Sequence, residues 1–150
     1  MISSKAAKRY AKALLTLAQE QGSLEEVLED IKTIHDTIKG SRDLQVTLKS
    51  PIVKPSDKTI ILGEIFSKHI GALAMQFLLL VAEKERSAML LLITKAFFSL
   101  YNEAVGLIEV TLKSAYPLED AQLESITKAL EFTTKKNVHV QVEVVPSLLG

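Results

Sequence analysis

Length, composition and charge exclude several classes of protein before any structural element is considered. The chain has 150 residues, enough for one domain with its own core or for one domain with a smaller appendage. Its 18 basic and 18 acidic residues balance, which excludes recruitment of nucleic acid or an anionic membrane by net charge, and the absence of cysteine excludes disulfide scaffolds, thiolate zinc sites and cysteine nucleophiles.

The first twenty residues predict a helix with more apolar surface than one-sided packing requires. On a helical wheel its apolar side chains form one arc of roughly 200°, whereas a surface helix needs a stripe only a little over about 100° wide. The arc consists of Ala6, Ala7, Tyr10, Ala11, Ala13, Leu14, Leu15, Leu17 and Ala18. Roughly half of it is therefore left over for a second helix.

Three short helices follow, each marked by start or stop signals. Gly22 and Gly40 end the first and second helices, Ser23 with Glu26 forms a capping-box pattern, and Ser41 predicts the N-cap of a brief third helix. The expected inward side chains are Leu24, Val27, Leu28, Ile31, Ile34 and Ile38 in the second helix, Leu44 and Leu48 in the third, and Ile60, Ile61, Ile65 and Phe66 in a fourth that begins at Pro55.

The fifth helix, residues 72–83, is apolar almost all round, and only Gln76 and Glu83 break the pattern. Such a helix is either central in a bundle or contacted from two sides, and it is too short for a membrane span, which needs about 20 apolar residues. A sixth helix, with Ser87 as its expected cap, runs to about Val105. Its expected inward residues are Met89, Leu90, Ile93, Phe97, Leu100 and Tyr101.

After Gly106 the spacing of apolar residues changes from that typical of a helix to the alternation typical of a strand. Ile108, Val110 and Leu112 alternate with polar residues, and the valines from Val138 to Val144 alternate in the same way. Between them, a helix over residues 119–135 carries Leu123, Ile126 and Leu130 on one face. A strand, a crossover helix and a strand predict parallel pairing. Two strands are marginal as an independent unit, so we expect the part that ends at Gly150 to be incomplete.

The elements together predict a mainly α protein with two parts. Residues 1–105 form an N-terminal six-helix bundle, and residues 106–150 form a small α/β part with strand-helix-strand order.

Three segments carry a resemblance to a known family: residues 8–14 (KRYAKAL), residues 81–84 (VAEK) and residues 146–150 (PSLLG), set among six short helices and the strand after Gly106. In this order they resemble the delta subunit of F-type ATP synthases, called OSCP in mitochondria. The resemblance covers the whole chain, and it implies the same bundle, a small α/β C-terminal part and a stator role without catalysis. The family pattern has a glycine after the Glu-Lys pair, whereas this chain has Glu85, which leaves the shape of that turn open.

The resemblance also implies two partners. In that family the N-terminal helix of an α subunit lies in a groove between the first and fifth helices, and the C-terminal part contacts the b subunits of the peripheral stalk. By matching position, the groove residues are Tyr10, Ala13, Leu14, Leu17, Leu78, Leu79 and Ala82. The alternative is that each of these residues is simply core. The groove assignment predicts that Leu14→Asp abolishes binding of an α-subunit N-terminal peptide while the bundle stays folded.

Catalytic and ligand chemistry has no candidate residues in the sequence. His35, His69 and His139 lie on different elements without a second ligand at metal spacing, and the glycines form neither a dinucleotide fingerprint nor a P-loop. We therefore expect no catalytic residue, no cofactor, no metal and no nucleic acid.

The expected function is that of a stator subunit, which links the catalytic α/β head to the membrane-anchored b subunits and resists rotor torque during ATP synthesis driven by the proton-motive force. One copy per complex, monomeric in isolation, is expected at the cytoplasmic face of a bacterial plasma membrane or, alternatively, at an organelle inner membrane or thylakoid. The sequence shows no secretory signal. Two alternatives stay open: a helical adaptor that binds an unrelated amphipathic helix, and a small enzyme with a pocket beside Tyr10 and Tyr101.

Overall fold

The computed structural model describes residues 4–134 and 137–149. The chain divides between Tyr101 and Asn102 into two compact units, where the sequence prediction places the boundary at residue 105. Helices make up the first unit and the only strands of the described residues belong to the second, so the predicted fold class, mainly α with a small α/β part, is confirmed.

Six α-helices are described in residues 4–104, as the sequence predicts. They are α1 (Ser4–Glu20), α2 (Leu24–Lys39), α3 (Arg42–Lys49), α4 (Pro55–Phe66), α5 (Ala72–Glu83) and α6 (Leu90–Ala104). A short 3-10 turn, Ser87–Met89, precedes α6.

One apolar core joins these helices. The inward residues predicted for α3 are buried, as are those predicted for α2 and α6 apart from Leu24 and Tyr101, which are half-buried against the same core. Burial of one helical face on each element is what a spacing of three and four residues predicts.

The predicted inward face of α4 is wrong at one position. Ile60 is 59% exposed, whereas Lys58, Leu62 and Phe66 are buried. Residues two apart in a helix lie on opposite sides, so the burial of Leu62 directs Ile60 to solvent. Because α4 carries apolar residues on more than one side, periodicity alone did not distinguish its faces.

The serines at the helix ends behave in three different ways. Ser41 caps α3 as predicted, since its hydroxyl accepts a hydrogen bond from the Leu44 N–H at 3.2 Å. Ser23 stands at the N-cap of α2 but makes no side-chain cap bond, so the predicted capping box is not formed. Ser87 does not begin α6; its buried hydroxyl donates to the Leu48 carbonyl oxygen at 2.7 Å and ties the turn before α6 to α3.

The C-terminal unit is a strand-helix-strand unit formed by β1 (Leu107–Ser114), α7 (Asp120–Thr134) and β2 (Asn137–Val144), followed by a 3-10 turn, Pro146–Leu149. The two strands pair in parallel in the register Leu107↔Asn137 to Ser114↔Val144, which confirms the predicted topology. Val138 is buried, whereas the predicted inward residues of α7 are only half-buried. The predicted inward side chain of Ile108 and the predicted helix end at residue 135 lie outside the described residues.

Candidate functional site

Burial divides the apolar arc of α1 into two halves. Ala7, Ala11, Leu14, Leu15 and Ala18 are buried in the core, each with 7% exposure or less. The other half remains accessible: Tyr10 is half-buried, Ala13 is exposed and Leu17 is 44% exposed. The excess of apolar surface that the wheel predicts for this helix is therefore present, and it lies on one side of the core stripe.

One residue of the accessible half of α1, Tyr10, contacts α5. The rings of Tyr10 and Phe77 meet edge to face, with their centroids 6.4 Å apart and their planes at 69°. Leu73 and Leu80 stand four residues before and three residues after Phe77, so they share its side of α5. Leu73 is half-buried and Leu80 is 44% exposed.

The Tyr10–Phe77 contact and the helical spacing of neighbouring residues define a candidate docking surface, called here the apolar strip. It consists of Tyr10, Ala13 and Leu17 on α1 and Leu73, Phe77 and Leu80 on α5. Phe77 is 8% exposed and forms the base of the strip, whereas Leu17 and Leu80 keep almost half of their surface accessible. Singly exposed apolar residues are ordinary, but leucines on two adjacent helices beside an aromatic pair form a surface that a third helix can cover.

The seven residues predicted for the groove do not all lie together. Tyr10, Ala13 and Leu17 are on the apolar strip. Leu14, Leu78 and Ala82 are at most 1% exposed and lie among the buried core residues of the bundle. Leu79 is half-buried, and because it is two residues from Phe77 it lies on the opposite side of α5.

The burial of Leu14 also changes the experiment that the sequence suggests. A carboxylate at a core position with 1% exposure has no partner for its charge, which destabilises the folded state strongly. Leu14→Asp would therefore unfold the bundle rather than test a surface. Leu17 lies one turn further along α1 and is 44% exposed. A substitution there can weaken binding without unfolding the bundle.

Sequence reasoning missed Leu73, Phe77 and Leu80. The fifth helix is apolar on nearly every side, so its pattern could not indicate which side faces α1. The aromatic side chains could have indicated that side. Tyr10 and Phe77 are the aromatic residues of these two helices, and such rings tend to pair.

The apolar strip offers contact area and no reactive group. Its single titratable side chain is Tyr10, whose ring is packed against Phe77. Lys8, Arg9 and Lys12 are exposed on α1; Arg9, four residues before Ala13, lies beside the strip, and Lys8 and Lys12 lie further round the helix. Across residues 4–134 and 137–149 the structure has no cluster of three His, Cys, Asp or Glu residues that could hold a metal ion. In the same part of the chain no helix is both long enough and apolar enough to span a bilayer.

Tyr101, the second tyrosine considered for an enzyme pocket, is engaged within the bundle. Its hydroxyl donates to the Glu25 carboxylate, with distances of 2.8 and 3.0 Å to the two oxygens. This hydrogen bond raises the pKa of Tyr101, because the phenolate form could not donate it. Tyr101 therefore ties α6 to the first turn of α2, a structural role.

Known proteins have sequences similar to that of this chain. A family model described as ATP synthase delta (OSCP) subunit matches residues 6–150. The chain is 37% identical over 145 residues to the ATP synthase subunit delta of Chlorobium phaeovibrioides, covering 97% of this chain and 80% of that protein. It is 37% identical over 150 residues to the ATP synthase subunit delta of Chlorobaculum parvum, covering 100% of this chain and 83% of that protein.

A solved structure has the same fold. A chain of the Toxoplasma gondii mitochondrial ATP synthase hexamer, determined by cryo-EM, superposes with a TM-score of 0.72 at 22% identity, covering 94% of this chain and 79% of that chain. The resemblance noted in the sequence is confirmed by the family match and by the two relatives. The chain belongs to the ATP synthase delta (OSCP) subunit family.

Proposed function

We propose that this chain is a non-catalytic stator subunit of an F-type ATP synthase, which holds the catalytic α/β head to the membrane-anchored b subunits against the torque of the rotor. In this proposal the N-terminal helix of an α subunit lies on the apolar strip between α1 and α5. The observation that carries the proposal is the accessible surface of Leu17 and Leu80 on these two helices, beside the Tyr10–Phe77 contact.

The size of the apolar strip sets the expected strength of this contact. Complete burial of a leucine or phenylalanine contributes about 1.5–3 kcal/mol, while association costs about 4–15 kcal/mol in lost freedom. Phe77 and Leu73 are already partly covered, so the docking helix gains only the remainder of their surface. We therefore expect an isolated helix to bind nearer to 1 µM, about −8 kcal/mol, than to 1 nM. A second attachment point raises the holding strength through effective concentration.

The second attachment point in this proposal is the C-terminal unit, which binds the b subunits. Its support is apolar surface on that unit: Tyr116 is 61% exposed, Phe132 87% and Val144 43%. A small unit with exposed large apolar side chains has contact area to offer. The role requires packed helices and two binding surfaces, and no bond is made or broken by this chain.

The setting follows from the same proposal. We place the subunit, one copy per complex, at the cytoplasmic face of a bacterial plasma membrane, where the complex uses the proton-motive force. The relatives from Chlorobium and Chlorobaculum support a bacterial source. In this proposal the complex attaches the subunit to the membrane. Residues 4–134 and 137–149 contain no helix long and apolar enough to span a bilayer.

Recovery of the complex from cells tests this proposal. The chain, tagged at one end and expressed in its own host, is purified from membranes solubilised in a mild detergent, and its partners are identified by mass spectrometry. We expect α, β and b subunits in stoichiometric amounts. A single unrelated helical protein in their place would support the adaptor alternative, and substrate turnover by the isolated chain would support an enzyme; either result overturns the stator proposal.

A further inference from the structure

Lys58 occupies a position in α4 that the fold treats as core. It stands four residues before Leu62 and eight before Phe66, on the buried stripe of the helix. Its exposure is 9%, against 0% for Leu62 and 1% for Phe66. Lysine is rarely buried to this extent unless its charge is paired, because desolvation of an ammonium group is costly.

The structure provides no such partner for this charge. Within residues 4–134 and 137–149 the ion pairs are Lys32–Glu29 and Lys128–Glu124, and no hydrogen bond involves the Lys58 ammonium group. The enclosed side-chain polar atom without a partner in this part of the chain is Ser23 Oγ, so the Lys58 nitrogen retains some contact with solvent.

A cavity of about 380 Å³ lies beside this residue. Lys58 lines it together with the loop between α3 and α4 and the turn that follows α5. Lys54 and Pro55, the N-cap and the first residue of α4, also line it, so the positive end of this helix dipole lies at the cavity. The cavity is thus lined by a lysine that is nine-tenths buried as a residue and has no charge partner among the described residues, together with a second source of positive potential.

The charged residues around the cavity favour an anion. Lys49, Lys54 and Lys58 line it, against one carboxylate, that of Glu85. Lys49 and Lys54 are exposed, so their amines can turn toward a bound ligand. The Glu85 carboxylate would repel a fully ionised anion, but it can accept a hydrogen bond from an anion that still carries a proton.

We propose that this cavity binds a small oxyanion of the phosphate class, with the Lys58 ammonium group as its central contact. Near neutral pH inorganic phosphate carries one or two protons and a phosphomonoester carries none or one, so either can accept from Lys58 and, in a protonated form, donate to Glu85. Sulfate carries no proton under these conditions and cannot make the second bond. The site is separate from the apolar strip, and its occupancy does not depend on the stator proposal.

Ligand titration of the purified chain tests the proposal. Inorganic phosphate, glycerol 3-phosphate and sulfate are added separately at constant ionic strength and pH 7, and amide chemical shifts are followed by NMR. We expect saturable shifts confined to residues 49–58 and 85–88 with phosphate or with glycerol 3-phosphate, and none with sulfate. Saturation by glycerol 3-phosphate alone would assign the site to a phosphomonoester, and saturation by both would assign it to the phosphate group itself.

Matched lysine variants separate this site from general charge effects. Lys58→Met keeps a long side chain in the core stripe without its charge, and we expect it to weaken phosphate binding by at least about tenfold, as loss of a charged hydrogen bond predicts. Lys54→Met, at an exposed residue, removes one cavity charge without disturbing the core and should weaken binding in the same direction. Lys68→Met, exposed and beyond the end of α4, is the control and should bind as the wild type does.

Two results would overturn the proposal. One is that neither inorganic phosphate nor glycerol 3-phosphate causes saturable shifts in the wild type. This would mean that the Lys58 stem is buried and its amine is merely hydrated. The other is equal binding by the wild type, Lys54→Met and Lys58→Met. If Lys58→Met does not fold, the Lys54→Met and Lys68→Met comparison decides the question.

Discussion

Two helices end in the same hydrogen-bonded turn with different residues at its central position. After α1, Gly22 has a φ of 67° and the Ser23 N–H donates to the Ala18 carbonyl oxygen at 2.9 Å. After α5, Glu85 has a φ of 59° and the Arg86 N–H donates to the Val81 carbonyl oxygen, also at 2.9 Å. Both are Schellman motifs. The turn whose shape the sequence left open therefore has the conformation that glycine adopts, with glutamate in its place.

This comparison predicts opposite effects of substitution at the two turns. A left-handed conformation costs a residue with a Cβ about 1–2 kcal/mol, partly offset by the greater flexibility of an unfolded glycine. Glu85→Gly should therefore stabilise the protein by about 0.5–1 kcal/mol, and Gly22→Ala should destabilise it by a similar amount. Urea unfolding measures both, with Glu85→Ala as the control that removes the carboxylate and keeps the backbone cost. If Glu85→Ala stabilises as much as Glu85→Gly, the effect is one of charge and the backbone argument is wrong.

His35 is a packing residue with a titratable ring. The Thr94 hydroxyl donates to the Leu91 carbonyl oxygen, so its oxygen accepts from His35 Nδ1 at 2.8 Å, and the ring meets Phe98 edge to face at 5.4 Å. The histidine that the sequence leaves without a ligand thus joins α2 to α6.

The environment of His35 predicts a pH dependence of stability. Burial lowers the pKa of His35; Asp36 partly offsets this, and Lys39 and Lys95 lower the pKa further. The unfolded chain therefore binds the proton first as pH falls below about 6.5, so this residue's contribution is complete above that pH and is lost as pH falls through the lowered folded pKa.

Urea unfolding of wild type and His35→Gln between pH 7.5 and 5 measures this contribution. Glutamine does not titrate and can still donate to Thr94. We expect the wild type to lose more stability than the variant as pH falls. Parallel curves for the two proteins would contradict the assignment.

At the scale of elements, one hydrogen bond links the start of α5 to α2. The Asp30 carboxylate accepts from the N–H of Gly71, the N-cap residue of α5, at 2.9 Å. The N–H of the residue that precedes α5 is therefore bonded by another helix, 41 residues earlier in the chain. This long-range bond helps to set the position of α5, on which half of the apolar strip depends.

Removal of this hydrogen bond should cost more than removal of an exposed charge beside it. We expect Asp30→Ala to lower the free energy of unfolding by about 1 kcal/mol, the usual net contribution of a hydrogen bond. Glu29→Ala is the matched control, since Glu29 pairs with Lys32 only at the exposed surface, 3.3 Å away, and should cost about 0.5 kcal/mol or less. Equal losses in the two variants, measured by urea unfolding, would show that the Asp30 bond is solvent-screened and does not fix α5.

Helices with one apolar face were predictable from the sequence, and helices with several were not. In α2, the spacing of Ile31, Ile34 and Ile38 allows one buried side, and all three are buried. In α4, the apolar pattern allows either Ile60 or Leu62 to face the core. In the structure Lys58 and Leu62 are buried and Ile60 is exposed. The choice depends on neighbouring helices far apart in sequence, which a local pattern does not contain.

At the scale of the whole molecule, the sequence predicted the element order, the fold class and the parallel strand pairing. These follow from the spacing of apolar residues and from the residues that mark the ends of helices and strands. The candidate site followed only in part. The wheel of α1 indicated correctly that it carries spare apolar surface, which remains accessible at Ala13 and Leu17. On α5 the assignment transferred from the family included Leu78 and Ala82, which the fold buries. A wheel gives the width of an apolar arc, but the division of that arc between core and surface depends on tertiary contacts.

The central claim is that the apolar strip binds an α-subunit helix, and calorimetric titration tests it most directly. A synthetic peptide with the sequence of the α-subunit N-terminal helix is titrated into the wild type, Leu17→Asp and Thr16→Asp. Leu17 and Thr16 are adjacent exposed residues of α1, so both substitutions have similar effects on the helix, but Thr16 lies outside the strip. We predict binding near 1 µM for wild type and Thr16→Asp, and at least about tenfold weaker binding for Leu17→Asp with unchanged thermal stability. Equal affinity for all three proteins, or no binding to the wild type, would contradict the account.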